Sequence, residues 1–346
     1  MRAEYFPAIG SYVTMPGPWR HPIHWLEPDT PVFYPKVLAS YGVWRDEPVP
    51  VSREHVTILG DSGGYQMITQ EGADFDPVDV LRWQIRNCSR GLILDVPPYE
   101  PGAAIQLLGR ADEWFQDSLE RTVGNVETAL PYFRRHAKNF SWWGVVQGQT
   151  ISQIEQWYGR IAEVYSFDGP EEGWALSAKP STDLLTLARY TRFAHDHGLR
   201  RLHILQISGA RQVGVVLGLA ALSGNVDLVT YDTATALRAA VNRVALADEG
   251  LAFGYLNEKT SEGETTVLEF LKLCPCQACE WLREDLPLTN AEYPHYLILH
   301  NHLAILAVVN RIHQAALRDP DDLLRLATGD LYGQVMREWD KEVVTG

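Results

Sequence analysis

Short apolar runs rich in β-branched residues alternate with longer amphipathic stretches along most of the chain. The apolar runs predict strands at residues 56–60, 91–94, 143–146, 173–176, 202–205, 227–231 and 251–255, and one more at 32–34 or 37–41. The amphipathic stretches predict helices near residues 77–89, 111–137, 151–166, 181–198, 210–223 and 234–247. Strands that alternate with helices in this way are typical of a parallel sheet. Seven or eight such units over about 250 residues favour an α/β fold of the (β/α)8, or TIM-barrel, type.

The composition is compatible with one large barrel. The chain has 346 residues, of which 46% are hydrophobic, so it can fill a sizeable core. No GxGxxG fingerprint opens a predicted helix, which makes an open dinucleotide-binding sheet less favoured. No apolar run approaches the roughly 20 residues that span a bilayer, and the N-terminus lacks a signal-peptide layout. Three of the four cysteines lie close together, unlike a secreted disulfide framework, so we expect a cytoplasmic protein with reduced thiols and no membrane contact.

Polar side chains follow the predicted strands at the points where the strands end. In a TIM barrel the carboxyl ends of the strands surround one mouth, so these side chains are expected to converge there. A simpler interpretation is that each Asp caps the helix that follows it. Three Asp residues at such positions, one beside a diglycine and one beside a diproline, favour a site over three caps. The candidates are Asp61, Asp95, Gln147, Gly148, Ser177, Gln206 and Asp232.

Three carboxylates and an amide in one mouth suit chemistry on a nucleoside. Two carboxylates can displace a base at the anomeric carbon of a sugar. One attacks and forms a covalent glycosyl intermediate, and the other handles the proton of the base that leaves or enters. A third carboxylate can accept from N1–H and the exocyclic amine of guanine, while an amide donates to O6. Tyr65, close behind Asp61 in the sequence, offers a ring on which a base can stack.

Four short motifs carry a resemblance to a known family. They are DSGGYQ at residues 61–66, VQG at 146–148, YDTATAL at 231–237 and CPCQAC at 274–279. In order and approximate spacing they resemble signatures of the tRNA-guanine transglycosylase superfamily, over roughly residues 55–310. The resemblance implies a single TIM-barrel domain over residues 1–346, with a zinc-binding subdomain at about 264–312. It also implies exchange of a guanine in nucleic acid for a 7-deazaguanine base, without cleavage of the backbone.

The resemblance assigns roles to the residues at the expected mouth. Asp232 is similar to the nucleophile that attacks C1′ of the target nucleotide, and Asp61 to the acid/base group that serves the exchanged bases. Asp95 and Gln147 are similar to the residues that read guanine, and Tyr65 to the stacking platform. The other expected substrate contacts are Gly148, Ser177 and Gln206.

The thiols at residues 274–279 are spaced so that a tight loop can present all three to a tetrahedral zinc, although three buried free thiols are the simpler alternative. The resemblance adds a histidine that starts a helix and precedes Asn, which His300 matches. His302 and His295 are nearby alternatives that helical spacing does not separate. With no open position, such a zinc would be structural. The expected ligands are Cys274, Cys276, Cys279 and His300.

At several positions the sequence differs from the tRNA enzymes of the superfamily, and these differences indicate which branch of the superfamily it resembles. Ser177 and Ala178 stand where the bacterial enzymes carry a glycine pair. Gln206 replaces a second stacking residue, and Gln149 a second glycine. The sequence after Asp232 is closer to the archaeosine-type pattern, yet we expect no room after residue 346 for the long RNA-binding domains of the archaeal enzymes. The mixture is most similar to the DNA 7-deazaguanine transglycosylases of phages and bacterial genomic islands.

The expected partners are DNA and a free 7-deazaguanine base such as preQ0, with tRNA as the alternative polymer. Because the net charge is −14, either polyanion requires a local basic rim. Residues 132–138 are the densest basic segment, although a solvated helix face explains them equally well. A homodimer through the zinc region is a further expectation. Two other interpretations remain: a non-catalytic partner subunit, which has no need of three converging carboxylates, and an unrelated barrel hydrolase of small glycosides, which would act on free nucleosides.

Overall fold

Eight parallel strands close into a barrel in sequential order, so the predicted TIM-barrel fold is confirmed. The computed structural model describes residues 1–9, 26–69, 74–98, 111–148, 150–177, 183–207, 209–257, 267–284 and 293–340. The first and last strands pair in parallel from Arg2↔Leu228 to Pro7↔Thr233, which closes the barrel. The barrel strands are β1 Arg2–Ile9, β2 Lys36–Ser40, β3 Thr57–Asp61, β4 Arg90–Leu92, β5 Ser141–Gln147, β6 Trp174–Ser177, β7 Arg201–Ile204 and β8 Leu228–Thr233.

Helices follow the strands and cover the outside of the barrel. Several begin at side-chain caps: Asp76 accepts from the N–H groups of Val78 and Asp79, and Thr150 forms a capping box with Gln153. The helices are α1 Tyr41–Trp44, α2 Gly64–Thr69, α3 Pro77–Asn87, α4 Ala111–His136, α5 Ile151–Val164, α6 Leu184–Asp196, α7 Ala210–Ser223, α8 Thr235–Val241, α9 Val267–Leu273, α10 Gln277–Glu284, α11 Tyr293–Arg318, α12 Pro320–Thr328 and α13 Tyr332–Asp340.

The structure corrects the prediction in two places. The helix predicted at 234–247 ends at Val241, and residues 244–248 form a strand, β9 Val244–Asp248. The apolar run at 251–255 lies in β10 Phe253–Asn257, which pairs antiparallel with β9 and does not enter the barrel. The turn between α8 and β9 includes Arg243 in a left-handed conformation with φ 54°, which ends the helix. Strand β1, the short helices α1 and α2, and the helices after α8 were not predicted.

The strand register determines which side chains line the inside of the barrel. At the carboxyl ends, Ser40 is level with Asp61, and Gln147 with Ser177. Partners in parallel strands point to the same face, so these side chains share the upper layer of the interior. The opposite end is closed by an ion cluster, in which Glu4 lies 3.8 Å from Arg90 and 3.9 Å from Lys36. The barrel is therefore closed by ion pairs at the amino ends of its strands and has a polar mouth at their carboxyl ends.

A second core lies outside β1 to β3, where the C-terminal part of the chain packs. It contains buried residues from these strands, from α9 and α10, and from the first turns of α11. The part of the predicted 264–312 subdomain that is described consists of α9, α10 and most of α11, and residues 264–266 and 285–292 lie outside the described residues. Among the helices that are described, none is both long and apolar enough to cross a membrane.

Candidate active site and metal centre

The predicted carboxylates and amide meet at the polar mouth of the barrel. Asp61 and Gln147 are the last residues of β3 and β5, and Asp232 is the residue before the end of β8. Asp95 lies three residues beyond β4, in a buried segment that continues the strand direction through an N–H bond from Ile93 to the carbonyl of Trp143. These polar side chains lie at the carboxyl ends of the strands, where the apolar interior of the barrel ends.

Asp95 is held by hydrogen bonds to both of its oxygens. Nε2 of Gln147 donates to Oδ2 at 2.7 Å, and the hydroxyl of Ser62 donates to Oδ1 at 3.2 Å. Only 6% of the residue is exposed to solvent. Burial raises the pKa of this carboxyl from 3.8 to about 6, the negative charge of Asp61 adds to the rise, and the two donors oppose it. Asp95 and Gln147 therefore form one preassembled carboxylate–amide unit.

The diglycine beside Asp61 allows the chain to pass close to Asp95. Gly63 has φ 84°, a conformation that glycine adopts without strain, and its N–H donates to Oδ2 of Asp61 at 3.2 Å. At Gly64 a Cβ atom would lie 2.3 Å from the carbonyl oxygen of Asp95, which is closer than atoms can approach. The two residues after Ser62 thus need to be glycine for the loop to pack on Asp95.

Oδ1 of Asp232 contacts two nitrogen atoms from β7 and the residues just after it. The backbone N–H of Gln206 donates to it at 2.9 Å, and Nε2 of His203 lies 3.2 Å away. Gln206 takes a left-handed conformation with φ 58°, which costs a non-glycine residue roughly 1 kcal/mol. His203 is fully buried, and its Nδ1 lies 2.8 Å from the hydroxyl oxygen of Thr230. The nucleophile candidate is thus held from one side through a single oxygen.

Asp61 differs from Asp232 in its electrostatic surroundings. Burial raises the pKa of the Asp61 carboxyl, and the negative charge of Asp232 raises it further. The hydroxyl of Ser40, the N–H of Gly63 and the charge of His203 act in the opposite direction. A neighbouring negative charge disfavours ionisation of a carboxyl group. The raised pKa of Asp61 suits a group that donates and accepts protons.

The other predicted substrate contacts border this group. Ser177 ends β6, and Gly148 follows β5 with φ 154°. The hydroxyl of Tyr190, which sequence reasoning missed, contacts the carbonyl oxygens of both residues and so ties the ends of β5 and β6 together. Tyr65 is the second residue of α2 and is partly exposed; burial raises the pKa of its hydroxyl, and the positive charge of Arg238 lowers it. Two residues at which the sequence departs from the tRNA enzymes, Ala178 and Gln149, lie outside the described residues.

A second cluster brings together the four residues predicted as metal ligands. The ligand atoms of Cys274, Cys276, Cys279 and His300 all lie within 4.8 Å of one another, so the cluster could hold a metal ion. The thiols come from the turn between α9 and α10 and the start of α10, and the imidazole comes from α11. Nε2 of His300 lies 3.0 Å from the carbonyl oxygen of Leu246. Because a carbonyl only accepts, Nε2 carries the hydrogen and the lone pair of Nδ1 faces the three sulfur atoms.

The rival histidine belongs to another environment. His302 is fully buried between the rings of Tyr5 and Tyr34, and burial lowers the pKa of its imidazole to about 3. The side chain of His295, the other alternative, lies outside the described residues. The neighbour of His300, Asn301, joins α11 to β9: its Oδ1 accepts from the N–H of Leu246 at 2.8 Å, and its Nδ2 donates to the carbonyl of Val244 at 2.9 Å.

His203, Thr230 and Ser62 are site residues that the sequence did not reveal. The signal for His203 was a histidine in the middle of an otherwise apolar strand, next in the barrel to the strand that carries Asp232. The contact between Ser62 and Asp95 depends on the conformation of the turn after β3, which the sequence does not specify.

No protein-family model matches the chain, and no curated protein matches it as a relative.

Proposed function

We propose that this chain is a transglycosylase that replaces guanine in DNA with a 7-deazaguanine base through a covalent intermediate on Asp232. One observation carries the proposal: two carboxylates with different electrostatic surroundings, Asp61 and Asp232, share a barrel mouth with the carboxylate–amide unit of Asp95 and Gln147. The first pair suits displacement at an anomeric carbon, and the second suits the hydrogen-bonding edge of guanine. Few substrates need both.

Recognition of guanine follows from the donor and acceptor groups of that unit. Ionised Asp95 accepts from N1–H and from the exocyclic amine of guanine. Gln147 uses one amide hydrogen for Asp95, and the second is available for O6 of the base. Adenine offers the opposite pattern at these positions, so this unit discriminates against it. Tyr65, at the rim, supplies the stacking surface.

The exchange is written as two displacements at C1′. In the first, a carboxylate oxygen of Asp232 attacks C1′, the C1′–N9 bond breaks, and guanine leaves with the bonding electrons and takes a proton from Asp61. In the second, the incoming base gives its corresponding proton to Asp61, its nitrogen attacks C1′, and the ester bond to Asp232 breaks. No net proton or water is consumed, and the phosphodiester backbone stays intact.

We propose that the second cluster holds zinc in a structural role. A tetrahedral zinc with Zn–S of about 2.3 Å and Zn–N of about 2.05 Å separates sulfur from nitrogen by roughly 3.6 Å. Nδ1 of His300 lies 3.5, 3.4 and 3.5 Å from the sulfur atoms of Cys274, Cys276 and Cys279. Such an ion would tie α9, α10 and α11 together and, through Leu246, join them to β9. A homodimer through this region belongs to the proposal as well.

The decisive experiment is a base-exchange assay with purified protein and preQ0, offered guanine-containing DNA and unmodified tRNA in parallel. Mass spectrometry of the digested nucleosides identifies the polymer that carries the deazaguanine. Product in DNA supports the proposal, and product in tRNA alone would assign the chain to the tRNA enzymes. Asp232→Asn is the matched control, since it should abolish both exchange and covalent trapping of the polymer. Hydrolysis of free nucleosides without a polymer would indicate a glycoside hydrolase, and no reaction in any arm would indicate a partner subunit.

A further inference from the structure

The hydrogen bonds around His203 determine where its protons lie. The hydroxyl of Thr230 donates to the carbonyl oxygen of Leu202 at 3.1 Å, because a carbonyl cannot donate. If that hydrogen bond uses the only hydrogen of the hydroxyl, Nδ1 of His203, 2.8 Å from the same oxygen, is the donor in their contact. A hydroxyl that donated to Nδ1 instead would leave a neutral ring with its hydrogen on Nε2. In the first arrangement, Nδ1 of His203 carries a hydrogen.

The other ring nitrogen of His203 faces a carboxylate. In a neutral imidazole with a hydrogen on Nδ1, Nε2 has only a lone pair, and it would point at Oδ1 of Asp232 from 3.2 Å. Two acceptors do not remain in contact in a fully buried site, so a proton lies between them. Asp232 must be ionised in order to attack a sugar, which leaves the proton on Nε2 and makes the ring an imidazolium.

The charged groups around His203 favour this state. Asp232 on β8 pairs with it directly, and the positive charge of His203 is close enough to Asp61 on β3 to lower the pKa of that carboxyl. On β1, Phe6 presents a ring to His203 edge-on, and Glu4, which lies beside Thr230 in the register, is held by cations of its own. No other cation among the described side chains is recorded in contact with Asp232, so a protonated His203 would be its counter-ion.

We propose that His203 is a positioning residue whose imidazolium binds Oδ1 of Asp232 and leaves Oδ2 as the oxygen that attacks C1′. Its role in the reaction rests on the proposed function, whereas the ion pair itself does not. The backbone N–H of Gln206 binds the same Oδ1, so both recorded donors fix one oxygen. When Oδ2 forms the ester bond, Oδ1 becomes its carbonyl oxygen and keeps both donors. The cation then stabilises the carboxylate again as it leaves in the second displacement.

Nitrogen NMR of protein labelled at histidine tests the ion pair without any turnover. Near neutral pH, His203 should carry hydrogens on both ring nitrogens, and its signals are assigned by their loss in His203→Gln. In Asp232→Asn, His203 should become neutral with its hydrogen on Nδ1. A neutral His203 in the wild-type protein, or an imidazolium that is unaffected by Asp232→Asn, would overturn the proposal whatever the enzyme's activity.

Two variants separate the charge of His203 from its hydrogen bond. His203→Gln retains an N–H donor near Nε2 but no charge, so covalent-complex formation in a single turnover should slow about tenfold. His203→Asn loses that donor too and should slow the step about a hundredfold. KM for the polymer should stay the same in both variants. His55→Gln, at an exposed position before β3, is the control. Wild-type rates in both variants, or an effect confined to KM, would overturn the positioning role.

Discussion

Replacement of Asp95 with Asn is expected to abolish guanine exchange and, at neutral pH, to stabilise the fold. Burial raises the pKa of Asp95 from 3.8 to about 6, helped by the charge of Asp61 and opposed by donors from Gln147 and Ser62. A carboxyl whose pKa is raised by folding contributes stability that is present at acid pH and lost as the pH rises through the folded value. Above that value, the native protein carries a charge that its own interior opposes, and Asn removes the charge while keeping the shape.

The magnitude follows from the shift. Two pKa units at 1.36 kcal/mol each correspond to about 3 kcal/mol at a pH well above 6. Near pH 4 the difference falls below about 1 kcal/mol, because the folded carboxyl is protonated and the unfolded one is only partly ionised. The amide introduced by Asp95→Asn would keep a hydrogen bond once the amide of Gln147 turns to accept from it, so the gain should not be offset by a lost contact.

Urea unfolding of wild type and Asp95→Asn at about pH 4, 6 and 8 measures this difference directly. The variant should gain about 2 to 3 kcal/mol in free energy of unfolding at the highest pH and little at the lowest. Asp330→Asn, at an exposed position, is the matched control and should show no such trend. A variant that is less stable than wild type at about pH 8, or a difference that does not change with pH, would refute the claim that burial of a charge dominates at this position.

Three further substitutions test separate parts of the site. Cys276→Ser should release bound zinc and lower the free energy of unfolding by several kcal/mol, as metal analysis and urea titration can show; full metal retention would contradict the ligand set. Gly64→Ala should abolish exchange, because its Cβ would lie 2.3 Å from the carbonyl oxygen of Asp95, whereas Gly124→Ala, where nothing lies within 4 Å, should keep activity and add up to about 1 kcal/mol of stability. Gln206→Gly should leave stability unharmed because glycine adopts φ 58° freely, yet lower kcat/KM. An unchanged kcat/KM would remove this side chain from the substrate contacts.

The barrel could be predicted where strands are apolar on both faces. Strands β3 to β8 were found within a few residues because each lies in a short apolar run followed by a helical pattern. Strand β1 was missed because charged residues, Arg2 and Glu4, interrupt it, and the place of Glu4 in the ion cluster depends on Lys36 and Arg90 from other strands. Strand β9 was missed because a helical pattern continued into it, and tertiary contacts with Asn301 decide its conformation.

The convergence of the carboxylates at the barrel mouth could be predicted, but the groups that hold them could not. An Asp directly after an apolar run is a local signal. The role of His203 is not local, because it depends on the register that sets His203 level with Thr230 on β8. The choice between His300 and His302 as the fourth metal ligand also depends on structure that is distant in sequence. Two residues that are two positions apart in a helix point about 200° away from each other. Only the orientation of α11 therefore determines which of the two histidines faces the thiols.

Three carboxylates in one mouth would repel one another if all were ionised. The surroundings of each carboxylate reduce this repulsion in a different way. Asp95 receives hydrogens from Gln147 and Ser62 and is ionised above a pH of about 6. Asp232 receives two donors on one oxygen, and we assign one of them to a cation. Burial and the charge of Asp232 raise the pKa of Asp61, while hydrogen bonds from Ser40 and Gly63 and the charge of His203 oppose the rise. Because surroundings that separate proton affinities also separate roles, the roles that we propose for the three carboxylates differ with what lies beside each of them. In our proposal, the imidazolium of His203 on β7 contributes to this division, because it binds Asp232 directly and opposes the rise in the pKa of Asp61.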